Sequence, residues 1–156
     1  MVTGSEEQFI HLAACVSHLH SALKTLRAIK AASPDNPLIA PAFRFALVEY
    51  VSPYTGSHGQ LEKYKLDYKY VPPEHLELHK RIVSARHQVH AHFDLRIMNA
   101  KFTAIGTRAN PAAEVSGTHV DELKELPNID QIISLVSDSI HNMYVDRDAQ
   151  LKALNA

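Results

Sequence analysis

Six apolar residues, Phe9, Leu12, Val16, Leu19, Leu23 and Leu26, follow one another at alternating steps of three and four. An α-helix turns once every ~3.6 residues, so this spacing lays one apolar stripe along a helix. A strand, whose side chains alternate between two faces, cannot use it. The stripe predicts a long helix over about 6–32, with Ser5 and Gln8 spaced as a capping box. Ser33-Pro34-Asp35-Asn36-Pro37 ends it. Asn36 then stands as a cap and Pro37 as the first residue of a second helix, about 38–51. Leu38, Ile39, Phe43, Phe45, Leu47 and Val48 make that helix apolar nearly all round, which predicts a central place.

Pro72-Pro73-Glu74 opens a third helix over 73–93, because proline is tolerated in a first turn. Its stripe is Leu78, Ile82, Ala85 and Val89. Asn128 caps a last helix, about 128–152, where Ile129, Ile132, Ile133, Val136, Ile140, Met143 and Tyr144 keep helical spacing. Between the second and third helices lies a long connection, residues 52–72. In it Tyr64, Leu66, Tyr68 and Tyr70 alternate with Lys65, Asp67 and Lys69, a period of two that predicts an extended segment. Gly106, Pro111 and Gly117 break any helix in 95–120, and Leu95–Ile105 with Glu114–Val120 is the expected hairpin. The chain therefore reads as all-α, mainly helical: one domain over 1–156, an antiparallel four-helix-type bundle with a long loop or small hairpin insertion.

A length of 156 residues, 46% hydrophobic and 21% charged, suits one such core. Cys15 is the single cysteine, which excludes an intramolecular disulfide and a multi-thiol zinc site. Among Ala13, Ala14 and Val16 it reads as an inert thiol. No cationic segment leads an apolar run, and no stretch approaches the ~20 apolar residues of a membrane span. A cytoplasmic protein with no membrane partner is the expectation. A net charge of −1 excludes a global basic field. Residues 62–101 nevertheless carry eight basic against five acidic residues and five of the eleven histidines. That third either meets an anionic partner or is a solvated face.

One stretch of the basic third concentrates chemistry: Arg86-His87-Gln88-Val89-His90-Ala91-His92-Phe93-Asp94. A histidine exchanges protons near neutral pH, and an arginine grips phosphate through two parallel donors. Arg86, a polar His87, five residues between Arg86 and His92, and the ending Ala91-His92-Phe93-Asp94 together resemble the Arg…His motif of the HEPN superfamily. These helical-bundle proteins are common in toxin–antitoxin and abortive-infection systems. The resemblance implies a metal-independent endoribonuclease that needs no cofactor and acts as a homodimer, with RNA as substrate and an antitoxin protein as an expected partner. It places His92 as acid/base and Arg86 as stabiliser of phosphorane charge, with His87, His90 and Asp94 in support. DNA lacks the 2′-hydroxyl that this reaction uses.

Other readings stay open on the same residues. His92 stands at the edge of the stripe and fits a hydrogen-bonded core histidine, while Arg86 fits an ion pair with Asp94 or with another helix. Many HEPN relatives are non-catalytic partner modules. His75-x3-His79 and His87-x2-His90 also put imidazoles on one helical face, and His11, His18, Glu49 or Asp94 could complete a metal site. Outside the motif, Lys63, Tyr64, Lys65, Lys69 and Tyr70 mix cations with aromatic rings, a combination that stacks bases and tracks phosphates, or that packs its tyrosines on the bundle. On a straight helix Arg86 and His92 point about 120° apart and are offset by about 9 Å, which predicts a site shared across a two-fold axis. A kink near Ala91 would instead reunite them within one chain.

Overall fold

A computed structural model describes residues 3–86, 101–116 and 123–154, and they are mainly helical. Helix α1 spans Gly4–Ala31 and begins two residues before its expected start. Thr3 is the cap: its hydroxyl accepts the Glu6 N–H, and the Glu6 carboxylate accepts the Thr3 N–H at 2.7 Å. A carboxylate is a stronger acceptor than the Gln8 amide and also meets the positive end of the helix dipole. The stripe buries Leu12, Val16, Leu19, Leu23 and Leu26, and Cys15, Ala22 and Ile29 join them.

Helix α2, Ile39–Val51, follows Asn36, whose Oδ1 accepts the Leu38 N–H at 2.9 Å. Its inner face is Phe43, Ala46, Leu47, Tyr50 and Val51. It is not buried all round, since Leu38 is 66% and Phe45 50% exposed. Helix α3, Leu76–Ala85, follows a 3-10 turn at Pro73–His75 and buries Leu78, His79 and Ile82. The expected remainder of that helix, to residue 93, lies outside the described residues. Helix α4, Ile129–Leu154, buries Ile132, Leu135, Val136, Ser139, Ile140 and Met143. A 3-10 turn, Leu126–Asn128, precedes it.

The expected stripes thus meet in one hydrophobic core. Helix α1 runs antiparallel to α4: His20 meets Tyr144 towards one end and Lys30 meets Asp130 at the other. It also runs antiparallel to α2, with His18 on Glu49 at one end and Ile29 beside Ile39 at the other. Full burial of Leu19, Leu26, Phe43 and Leu135 favours folding by about 1.5–3 kcal/mol each.

The 52–72 connection is folded onto this core and is extended only in part. A 3-10 turn at Ser52–Tyr54 leads to a short antiparallel pair, β1 (Ser57–His58) with β2 (Lys63–Tyr64). Asp67 then caps a second turn, Tyr68–Tyr70, by accepting the Lys69 N–H at 2.8 Å. That cap ends the alternation, although Leu66 and Tyr70 still point inward. The expected hairpin is present in its centre as β3 (Lys101–Ala104) paired antiparallel with β4 (Ala113–Ser116). Its flanks, 95–100 and 117–120, lie outside the described residues. Among the described residues no helix is long and apolar enough to cross a membrane.

Candidate functional site on helix α3 and the 52–72 connection

Pro72 and Pro73 set the entry of α3, after which the chain turns three polar side chains into three different settings. His75 Nε2 reaches 4.0 Å from Asp138 on α4. His79, one turn on, is fully buried, and its Nδ1 shares a 2.7 Å hydrogen bond with the Tyr50 hydroxyl. The rings of Tyr54 and Tyr68 stand edge-on to it at 4.6 and 4.8 Å. Burial pushes His79 down to about 4, so the imidazole is neutral near pH 7. Arg81 donates twice to Glu125, from Nε at 2.8 Å and Nη2 at 3.2 Å. That guanidinium first, and Asn128 after the cost of burial, hold the Glu125 carboxyl below its usual range.

Arg86 continues the helix beyond Ala85 with its N–H on Ile82 and Val83. It lies four residues after the fully buried Ile82, so it occupies the inward face of α3. Its Nε is buried, and among the described residues no acceptor meets it. His87, His90, His92 and Asp94, the other residues of the expected catalytic set, lie outside the described residues.

The cation–aromatic segment is distributed over two walls. The Tyr64 hydroxyl donates to Glu7 at 2.9 Å, and its ring stacks on His11 at 5.0 Å. The Tyr70 hydroxyl and Lys69 Nζ both meet Asp146 on α4. Lys69 first, then Tyr70, hold the Asp146 carboxyl low; burial and then Asp146 push Tyr70 up to about 12. Lys63 and Lys65 are exposed, and Lys65 Nζ sits 5.5 Å over the Tyr68 ring. Tyr64, Lys69 and Tyr70 thus brace the connection against α1 and α4, whereas Lys63 and Lys65 face outward. Between them opens a cavity of about 250 Å³ whose lining includes His11, Leu12, Tyr64, Leu66, Tyr70 and Gln150.

Several of these partners carry no sequence signal. Glu7 looks like an exposed first-turn acid, yet it is buried and accepts the N–H groups of Gln60 and Leu61 as well as the Tyr64 hydroxyl. Burial alone would raise its carboxyl; the donors, Gln60 foremost, outweigh that and hold it low. Gly59 permits this approach, since a Cβ there would fall 2.8 Å from the Glu7 carboxyl carbon.

The histidine pair at the start of α3 does not converge on one point, because His79 is closed inside the aromatic cluster while His75 meets Asp138. His18 pairs with Glu49 at 3.1 Å, and His11 Nε2 lies 3.5 Å from the Cys15 sulfur. Among the described residues no three His, Cys, Asp or Glu side chains gather as metal ligands. Comparison with protein-family models, with curated proteins and with solved structures finds no match to the chain.

Proposed function

We propose that this chain is a cytoplasmic HEPN-type domain, a single four-helix bundle that cleaves RNA without a metal. The observation that carries the reading is Arg86: its Nε is buried and meets no acceptor among the described residues, next to the His87–Asp94 stretch. A buried donor without a partner costs about 1–3 kcal/mol, and an anionic ligand that accepts from it removes that cost. A phosphodiester is such a ligand, and a guanidinium fits its oxygens with paired donors. In the proposed reaction His92 takes the proton of a ribose 2′-hydroxyl, whose oxygen attacks the adjacent phosphorus. The bond to the 5′-oxygen breaks as that oxygen is protonated. Arg86 stabilises the charge on the non-bridging oxygens, and His87, His90 and Asp94 orient the site. The products are a 2′,3′-cyclic phosphate and a 5′-hydroxyl end. Two copies complete each other's site, and an antitoxin partner would act by covering it.

The test is to incubate the purified protein with mixed cellular RNA in EDTA and to identify the ends formed. Cleavage in chelator with 2′,3′-cyclic ends, lost in His92→Ala and in Arg86→Ala, is the expected result. Mixing the two inactive variants under subunit exchange restores part of the activity if the site is shared. Activity that needs added zinc or magnesium overturns the reading, and so does intact RNA with every preparation.

A further inference from the structure

Strands β3 and β4 carry the alternation of a sheet with one buried and one wetted face. Their register sets Phe102 opposite Val115 and Ala104 opposite Ala113. Paired residues share a face, and so do residues two apart on one strand. Phe102, Ala104, Ala113 and Val115 therefore make one apolar face, and Lys101, Thr103, Glu114 and Ser116 make a polar one. Both faces are nonetheless exposed, with Phe102 and Val115 each at 72%. A two-stranded ribbon with no layer against it is marginal in water. Its register is pinned at the turn, where the Ala112 carbonyl accepts from both Ile105 and Gly106, and Thr107 and Asn110 close on each other. A Cβ at Gly106 would strike the Asn110 carbonyl and the Ala112 nitrogen, so the turn needs glycine there.

We infer that two copies of the chain associate through this face, ribbon against ribbon. The sizes on the face select that occupant. One layer is large, Phe102 beside Val115, and the next is small, Ala104 beside Ala113. A two-fold axis between the ribbons, perpendicular to the strands, reverses that order in the partner. It sets Phe102 against the partner's Ala104 and Val115 against the partner's Ala113, and the reciprocal contacts follow from the symmetry. Large side chains then meet small ones throughout, as interdigitating sheets require. An axis parallel to the strands would set Phe102 against the partner's Val115 and leave alanine against alanine. Edge-to-edge pairing would leave the apolar face in water. With about 200 Å² for an aromatic side chain, the four residues present about 350 Å² per copy, or about 700 Å² in the pair. That is below the ~1,200 Å² where standard interfaces begin, so the dimer is weak and concentration-dependent.

The RNA-cleaving reading asks only that two copies meet; this surface is argued apart from it and is tested without RNA. Sedimentation velocity is run on the full chain from about 5 μM to about 1 mM, and a reversible dimer with a Kd of about 10–500 μM is expected. Phe102→Asp, at an exposed position, should weaken association at least tenfold. Ala104→Phe sets large against large and should weaken it likewise. The double variant Phe102→Ala/Ala104→Phe exchanges the two layers, restores large against small, and should recover most of the wild-type affinity. None of the three touches the helical core, so helical circular dichroism should stay unchanged. A monomer at every concentration overturns the inference and leaves the face to a partner of another sequence. A dimer that Phe102→Asp leaves intact also overturns it, and leaves the shared Arg86–His92 site standing. A double variant that associates no better than Ala104→Phe overturns the two-fold arrangement. Association lost in Phe102→Asp, in a chain that cleaves no RNA, removes the catalytic reading and leaves the ribbon interface.

Discussion

Mild acid should loosen this fold through His79. The imidazole has no exposed surface, touches the Tyr50 hydroxyl through Nδ1, and is enclosed by the rings of Tyr54 and Tyr68. Its Nε2 is buried and meets no acceptor among the described residues, so none of them rewards a second proton. Burial lowers its pKa from 6.5 to about 4. The unfolded chain therefore takes up the proton first. Stability from this group is complete above pH 6.5, falls as pH drops, and is exhausted near pH 4. At 1.36 kcal/mol per unit the full effect is about 3 kcal/mol, of which about 2 kcal/mol is lost between about pH 7 and pH 5. His11, which burial also lowers, adds a smaller loss of the same sign. Urea unfolding followed by circular dichroism at both pH values measures the total, and His79→Gln isolates the His79 share. The variant should start less stable and change little with pH. Equal losses in wild type and His79→Gln would refute the argument.

The β1–β2 loop depends on the Glu7 carboxylate, so Glu7→Gln should speed amide exchange at Gln60 and Leu61 at least tenfold while exchange at Leu19 stays slow. Burial pushes the Cys15 thiol up to about 11; a thiol reagent should modify it only as the protein unfolds, at a rate that rises with urea. Arg81→Ala removes both guanidinium bonds to the mostly buried Glu125 carboxylate, keeps the one from Asn128, and should cost about 1 kcal/mol, read from the urea midpoint.

The helices were legible because their stripes have to meet: Leu12 through Leu26, Leu78 with Ile82, and Ile132 through Met143 each become one buried face. Apolar character did not reveal which way α2 faces, since Leu38 and Phe45 are apolar and exposed; burial requires apolar residues but apolar residues do not require burial. Polar pairs across the core were not legible at all. Tyr50 and His79 are 29 positions apart and Glu7 and Tyr64 are 57 apart. No spacing rule links such residues, because the fold rather than the local chain brings them together. In the 64–70 stretch the period of two was real in Leu66 and Tyr70 but gave way where Asp67 caps a turn. At the candidate site the type and spacing of Arg86 were legible, whereas the burial of its Nε without an acceptor among the described residues depends on what surrounds that end of α3.

That buried Nε separates the two arginines of α3 and yields a further expectation. Arg81 and Arg86 are five residues apart, about 140° around the helix axis, so they cannot share an environment. Arg81 turns to Glu125 and is matched by it at two atoms. Arg86 follows Ile82 by one turn and buries an Nε that meets no acceptor among the described residues. A residue kept only for the fold would be better replaced there by one of similar reach without the donor. Arg86→Met should therefore leave stability unchanged or raise it by about 1 kcal/mol, whereas Arg81→Met should lower it. If Arg86 grips phosphate, the same Arg86→Met protein should lose RNA cleavage while melting no earlier than wild type. Urea curves and cleavage assays on one preparation decide it: a loss of more than about 2 kcal/mol in Arg86→Met would mean that the guanidinium is a structural ion-pair partner, and the phosphate role would fall with it.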